Sequence, residues 1–545
     1  MKKILVLFQV LFTLMLYGQK YGQLAGSFES NSQLYVDDDK IGGFNEENKF
    51  RSNNYLKIDY YVNNFTAEVK FESYAPQALL NFSPNLNKTL GVATYAIKYK
   101  SKKLDFTLGN FYDQFGSGLI FRSWEDRQLG LDNSIRGFRI KYQPKNLNIT
   151  AFYGKQRVGF KQSNGELFGL NSEYDFLSNS NKFFMLGFSY IGRKQKLPPS
   201  TVSNLDEITN MYSGRINFSN QSFYSSIEYV NKGNDALVEL GSIIDTRLFK
   251  GNALLFNMGY TKKGFGFDAT FRRLENMAVY TNREVYANEF NDQIINYIPS
   301  LTKQHSFSLS NIYVYQSQTQ LSFNPFGKIG EIGAQFDLFY KFKEKSFFGG
   351  NYGTLLSLNY SQWNRLKASF NLTARDYNTE FLGFGDKNYS DLNIEINKKW
   401  SSKISSMLIF MNVYYDKEYI EEKVGQINAN ILATDLYYHF NQKKSVHLQL
   451  QHLWTRDDQK NWVAASLEHS LSNKFSIFIN DMYNYGNDNE FDKVHFYNIG
   501  SNYSHGSSRL TLIYGRQRGG LICIGGVCRF VPNSTGLSIN LSSSF

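Results

Sequence analysis

The sequence predicts an all-β protein, a transmembrane antiparallel up-and-down β-barrel of about 26 strands (range roughly 22 to 28), with long extracellular loops and short periplasmic turns. Three observations point there. Aromatic residues make up 17% of the 545 residues, with 38 Tyr and 47 Phe beside only 8 Pro, which is the composition of strands. Apolar and polar residues alternate over segments of about 9 to 12 residues, long enough to cross a bilayer when tilted. Tight turns alternate with long polar connections, which separates a membrane barrel from a soluble sandwich whose apolar face looks inward.

The first segment stands apart. Lys2 and Lys3 precede an apolar run from Ile4 to Tyr17 broken only by Gln9 and Thr13, and the small Gly18 follows. This pattern is that of a secretory signal peptide spanning 1–19, cleaved near residues 18 to 20; an N-terminal anchor would need about 20 apolar residues. The expected organisation is therefore a signal peptide, 1–19, and one barrel domain, 20–545. Loss of the two lysines lowers the formal charge from +11 to +9. Such a mildly basic balance suits a solvated surface, or the acidic headgroups and sugars of outer-membrane lipid and lipopolysaccharide. No nucleic-acid module accompanies it.

Alternation then runs along the chain: "LDFTL" from Leu104, "LNITAFY" from Leu147, Leu366, Ala368 and Phe370 against Lys367, Ser369 and Asn371, "VHLQL" from Val446, and "RLTLIY" from Arg509. Tight connections at 63–64, 101–103, 144–146, 219–221, 401–403, 441–444 and 505–508 alternate with polar stretches at 37–53, 113–133, 192–207, 275–304 and 519–534. If the tight turns are periplasmic, the strand beginning near Gln23 rises and the last, 535–545, descends. The count is least defined at 160–180, 233–251 and 275–331. In the last strand Leu537, Ile539, Leu541 and Phe545 share one face. Leu541 and the terminal Phe545 resemble the carboxy-terminal signal read by bacterial outer-membrane assembly machinery, so that machinery is an expected partner during biogenesis.

A barrel of about 26 strands would be near 50 Å across, too wide for side chains to fill. Strands starting near Gln23 leave no room for an N-terminal plug of the kind TonB-dependent transporters carry, so loops or a partner must occlude the lumen. The densest candidate is 109–137. Gly116 and Gly118 permit tight turning, Phe111, Tyr112, Phe115, Phe121 and Trp124 offer burial, and Arg122, Glu125, Asp126 and Arg127 can pair. The segment reads as a surface loop stapled by its aromatics, as a luminal constriction, or as a ligand or partner site.

"GSFESNSQLYVDDD" (26–39), "RSNNYLKIDYYV" (51–62), "GNFYDQFGSGL" with "WEDRQLGLDNSIRG" (109–137), "YGKQR" (153–157) and "RGGLICIGGVCRFVP" (518–532) resemble a family of Bacteroidota outer-membrane β-barrels of uncharacterised function. The resemblance implies location and fold, and brings no activity or functional residue with it.

Cys523 and Cys528 flank Gly525 and Gly526 in the last outward loop. They suit a disulfide in an oxidising compartment; free thiols are the alternative, and a metal site would need ligands beyond the nearest histidine, His505. "YGKQR" at 153–157 and "YGRQR" at 514–518 place cations where rising strands emerge, either as snorkelling residues or as a grip on lipopolysaccharide phosphates. "DDD" at 37–39 lacks the spacing of an EF-hand. The seven histidines form no triad pattern, and His447 and His452 face opposite sides of a strand. No enzyme and no cofactor are expected. Two functions remain: a partly occluded porin-like channel for solutes, with luminal cations such as Lys367 and Arg375, or a non-conducting scaffold with protein partners in an outer-membrane assembly or secretion complex.

Overall fold

The computed structural model describes residues 22–44, 48–80, 82, 86, 90–178, 181–196, 205–239, 242–284, 293–317, 329–371, 373–374 and 376–545. The expected signal segment, 1–19, and Arg375 lie outside the described residues.

Alternating side chains and backbone pairing decide the architecture together. A strand buried in hydrocarbon must satisfy every N–H and C=O on a neighbouring strand, so the sheet closes on itself. Here 24 strands form one sheet. Each pairs antiparallel with the next along the barrel, from Gln23–Tyr35 on Phe50–Val62 to Ser508–Gln517 on Ser534–Ser544. The ring closes where Ser534–Ser544 pairs with Gln23–Tyr35. The total lies within the expected range. Of the three ill-defined stretches, Lys161–Ser178 and the hairpin of Phe223–Glu239 with Ser242–Lys262 belong to the wall. The third, 276–329, contributes no barrel strand among its described residues.

Register shows which way the faces look. Leu186 lies opposite Ile216 and Tyr190 opposite Tyr212, while the intervening Ser189 lies opposite Ser213 and Gly187 opposite Arg215. Leu186, Phe188, Tyr212 and Ile216 are exposed, whereas Ser189, Ser213 and Arg215 are buried. An inverted protein of this kind, apolar outside and polar within, is what a bilayer rather than water rewards. Leu512 opposite Ile539 and Tyr514 opposite Leu537 continue the outer face across the closure.

Connections at one end are tight, among them 63–64, 101–103, 221–222, 263–264 and 506–507, with 343–353 the long exception. Those at the other end include 36–49, 74–90, 112–134, 276–329 and 518–533. Three links at that end are short instead, because the strands run past the wall as tall hairpins: 147–178, 223–262 and 354–399. Leu366 and Lys367 belong to the last of these. The ladder slips at Trp363, Asn364 and Leu366, and each such bulge turns the following side chains to the other face. Leu366 is consequently buried with Ile329 and Ile332, not outward as alternation predicts. Lys367 is exposed and paired with Glu380 at 2.7 Å, so it lines no lumen.

The hydrophobic core sits inside the cylinder, towards the long-loop end. There the inner wall changes from polar to apolar residues, Ile191, Met211, Val230, Ala253 and Leu274 on one side and Ile409, Met411, Val413, Ile431 and Leu453 on the other.

Candidate functional site: three inward loops and the cavity beside them

Two dozen strands leave a backbone cylinder about 46 Å wide, so the apolar upper wall requires something to cover it. Loop 112–134 covers one side. Phe115, Leu119, Ile120 and Phe121 are fully or almost fully buried against Ile135, Phe152, Ile191 and Met211. Phe111, at the end of its strand, and Phe115 and Phe121 from the loop surround Phe152 with ring centroids 5.7, 5.6 and 4.7 Å away. The loop tip reaches the wall at Gly116. Its φ is +56°, and a Cβ there would lie 2.5 Å from Arg215 Cδ and 2.7 Å from Glu228 Oε1. The next residue, Ser117, donates its N–H to Glu228 at 2.9 Å. Only glycine permits both the turn and the approach.

The second body comprises 276–284 and 293–317. Met277, Val279, Ile294, Ile295 and Ile298 join the first cluster, and Phe307, Leu309, Tyr313 and Tyr315 cover the opposite wall against Trp363, Tyr389 and Tyr415. It is tied to the first loop: Tyr297 N–H donates to Gly118 O at 2.9 Å and Arg122 N–H to Ile295 O at 2.9 Å. The Arg122 guanidinium lies 3.9 Å from the Tyr297 ring centroid and 5.1 Å from that of Trp124. Arg272 fixes the same body to the wall, donating to Pro299 O at 2.6 Å and to Glu331 at 2.7 Å. Arg193 and Arg283 converge on Asp235, the latter at 2.7 Å.

Hairpin 520–531 completes the plug. Cys523 and Cys528 lie opposite one another in its short ladder and form a disulfide, S–S 2.00 Å. The hairpin folds inward: Ser300 N–H donates to Gly526 O at 2.9 Å and Tyr297 O–H to Gly525 O at 2.6 Å. Val527 is buried with Leu129 and Leu131.

An ionic latch secures loop 112–134. Glu72, Glu125 and Asp132 bring carboxylate oxygens within 4.8 Å of one another. Such a group can hold a cation, and two side chains supply one: Lys70 Nζ lies 3.1, 3.0 and 2.6 Å from these carboxylates in turn, and Arg157 bridges Glu72 and Asp132. Arg127 extends the network, 2.9 Å from Glu125 and 2.6 Å from Glu29 on the first strand. Burial alone would raise the Asp132 carboxyl, but Lys70 and Arg157 more than offset it and hold the group well below the usual carboxylate range. Asp126 stays outside the network and accepts the Leu129 N–H at 3.0 Å. Tyr112 is partly exposed, but its hydroxyl donates to Asp132 of the latch and its carbonyl accepts from Arg139 at 3.1 Å.

Coverage is incomplete on the side of the barrel closure. A cavity of about 340 Å³ runs between the plug and the inner face of the first and last strands, lined by Glu29, Gln33, Asn53, Arg127, Arg529 and Asn540 among others. Arg529 crosses its edge, donating to Leu129 O at 2.6 Å with its guanidinium 4.7 Å from the Phe82 ring. Burial lowers its pKa to about 10, since Tyr55 and Asp126 return only part of the lost hydration.

The repeated motifs do other work than spacing suggests. Arg157 and Gln156 of "YGKQR" point into the plug, Gln156 donating to Ile294 O at 2.7 Å. Arg516 of "YGRQR" donates to Asp38 at 2.6 and 2.9 Å, and Arg518 lies over Trp462. A register shift between Lys155 and Arg157 turns Arg157 inward, and Arg516 and Arg518 are taken up by Asp38 and Trp462. Within "DDD", Asp37 pairs with Lys49 and Asp38 takes Arg516 and Thr535. At the terminus, Phe545 exchanges backbone hydrogen bonds with Gly26 at 2.8 and 2.9 Å, one rung beyond the ladder in which Leu541 faces Ser30. Sequence reading missed Lys70 and Glu72 and assigned Arg157 to the membrane surface; the available signal was "KFE" at 70–72, two charges two apart on the inward face of a strand.

None of the curated proteins matches the chain. Among solved structures it is similar to the translocation pore of the P pilus usher PapC, at 9% identity and a TM-score of 0.43 over 96% of this chain and 99% of that one. It is similar also to the siderophore receptor PirA from Pseudomonas aeruginosa, at 8% identity and 0.39 over 96% and 80%, and to OccAB4 of Acinetobacter baumannii, at 10% identity and 0.35 over 96% and 98%. A family model matches residues 1–545 throughout, and the chain belongs to that family, the family of unknown function DUF6029.

Proposed function

We propose that the protein is an occluded porin-like channel of the outer membrane, exported through its N-terminal signal and passing small polar solutes along the inner face of the first and last strands. The observation that carries this reading is the asymmetry of the plug: three loops cover the apolar upper wall, yet a polar cavity of about 340 Å³ is left against the barrel closure. A sealed scaffold has no use for a polar gap beside its plug, because buried polar surface without partners opposes folding. A channel needs one. The lower inner wall supports the same reading with hydroxyl and amide side chains, such as Thr511 donating to Asn502 and Asn480 to Asn498, each at 2.7 Å.

The test is planar-bilayer conductance of the purified barrel. Discrete small steps are expected from the intact protein, and larger ones after deletion of 113–133. Silence from both, together with stoichiometric partners retained in mild detergent, would replace the channel with a scaffold.

A further inference from the structure

The cavity at the barrel closure carries chemistry of its own. Around it stand three arginines, Arg127, Arg518 and Arg529, and one carboxylate, Glu29. Glu29 is already committed, to Arg127 at 2.6 Å and to Asn31 at 2.8 Å. Arg127 is satisfied by Glu29 and Glu125. Arg529 has the Leu129 carbonyl as its hydrogen-bond acceptor, and Asp126 and Tyr55 act on it only through space. Arg518 places its guanidinium over Trp462, with Glu421 and Asp458 as its more distant carboxylates, and none of these three lines the cavity, so its charge is spent elsewhere. The pocket therefore carries one cation, Arg529, with no carboxylate bonded to it in a low-dielectric setting, where an unmatched cation is costly unless an anion joins it.

A second observation is independent of charge. Asn53 lies on the cavity wall and is 1% exposed. Its Oδ1 accepts the Leu79 N–H at 3.0 Å, while its Nδ2 has no hydrogen-bond partner among the described residues. Buried amide donors are nearly always paired, and an orphan one signals an absent acceptor. Around it, Gln33, Gln128, Gln517 and Ser534 add further polar groups. The space equals that of roughly ten waters, enough for a small solute.

We infer that this cavity binds the oxyanionic group, carboxylate or phosphate, of a small solute, with Arg529 supplying charge and Asn53 Nδ2 donating to one of its oxygens. The inference rests on the channel reading and names the class of solute that such a channel would select. Guanidinium and amide donors around a polar hole match planar or tetrahedral oxyanions, whereas a neutral sugar would leave the cation unanswered.

Binding and conduction are measured separately on one preparation of the full-length barrel in detergent. Titration calorimetry with inorganic phosphate, succinate and glucose is expected to show saturable binding of at least one anion and none of glucose. Asn53→Asp, which keeps the shape and adds a repelling charge, is expected to weaken that binding at least tenfold, as is Arg529→Gln. Binding of phosphate alone or of succinate alone identifies which oxyanion the site takes. Absence of binding by both anions, or anion binding that Asn53→Asp leaves unchanged, would overturn the inference. Bilayer conductance in potassium chloride keeps the two claims apart: steps without anion binding remove the site and keep the channel, and anion binding without steps does the reverse.

Discussion

Substituting Lys70 with Met removes the ammonium from the centre of three carboxylates and leaves its aliphatic volume in place. Lys70 Nζ stands 2.6 to 3.1 Å from Glu72, Glu125 and Asp132, and its side chain is 4% exposed. After the change Arg157 alone remains for Glu72 and Asp132, while Glu125 keeps only Arg127, which it shares with Glu29. Breaking a buried, hydrogen-bonded charge network by deleting one partner costs about 3–5 kcal/mol. Glu72 belongs to the wall, whereas Glu125 and Asp132 belong to the loop. The cost therefore falls on the docked loop, which can escape it by swinging the two acids into water. At about 1.4 kcal/mol per tenfold, the population of undocked loop should rise by two to four orders of magnitude, roughly. Single-channel recording reads this as larger, flickering openings that the parent protein lacks. A Lys70→Met barrel that assembles with normal heat-modifiable mobility and gives a conductance trace indistinguishable from the parent would refute the latch.

Acidification should leave the closed state intact further than carboxylates ordinarily allow. With the folded Asp132 pKa depressed, its contribution is fully present above the unfolded value of about 4 and is lost only as pH falls through the lower, folded one; conductance should be flat from pH 7 to about 4. Cys523→Ser should abolish the two-proton mass increase on reduction and loosen the hairpin tip by about 2 kcal/mol, the closure entropy of so short a loop, read as faster hydrogen exchange at 520–531. Replacing Phe545 by Asp should leave export intact and reduce assembled barrel, and equal heat-modifiable yield would argue against a role for the terminus. Gly26→Val should act at the same place, because a Cβ there lies 2.5 Å from the Phe545 ring.

Wall and plug were unequally legible in the sequence. Alternation is a local signal, and a two-residue period is enough to place Leu186, Ile216, Leu512 or Ile539 on the outer face. Loop 112–134 was visible as a dense run of aromatics and paired charges, but its docking partners Phe152, Met211 and Glu228 come from strands whose pattern only says "inward". Bulges defeated the period at Leu366 and Arg157, where one extra residue exchanges the faces. The stretch 276–317 was illegible for a different reason. Among its described residues it pairs with no neighbouring strand of the wall, so its apolar residues, Met277, Val279, Ile294, Ile295 and Ile298, follow no period and declare themselves only once the inner wall is there to receive them.

That dependence explains why this barrel can fill itself from its own loops. A wide cylinder with a polar interior throughout would hold water, and loops entering it would lose entropy for little return. Here the inner face changes character along its height: below the plug it carries Ser189, Ser213, Asn171 and Arg215, and above them Ile191, Met211, Val230 and Ala253. The apolar ring makes the dry arrangement favourable at about 25 cal/mol per Å² covered, and the ionic latch and the Gly116 turn fix which surface of the loop meets it. The same logic predicts where covering stops. Beside the first and last strands the inward residues are Glu29, Asn31, Gln33, Ser534, Ser538 and Asn540, and Tyr35 at the end of the first strand adds one aromatic ring rather than an apolar band for a loop to dock on; it is there that the cavity remains. Introducing Leu at Gln33 and Ser538 should extend the ring across the closure, draw the plug over the gap and suppress conductance; undiminished steps in that double variant would show that the path runs elsewhere.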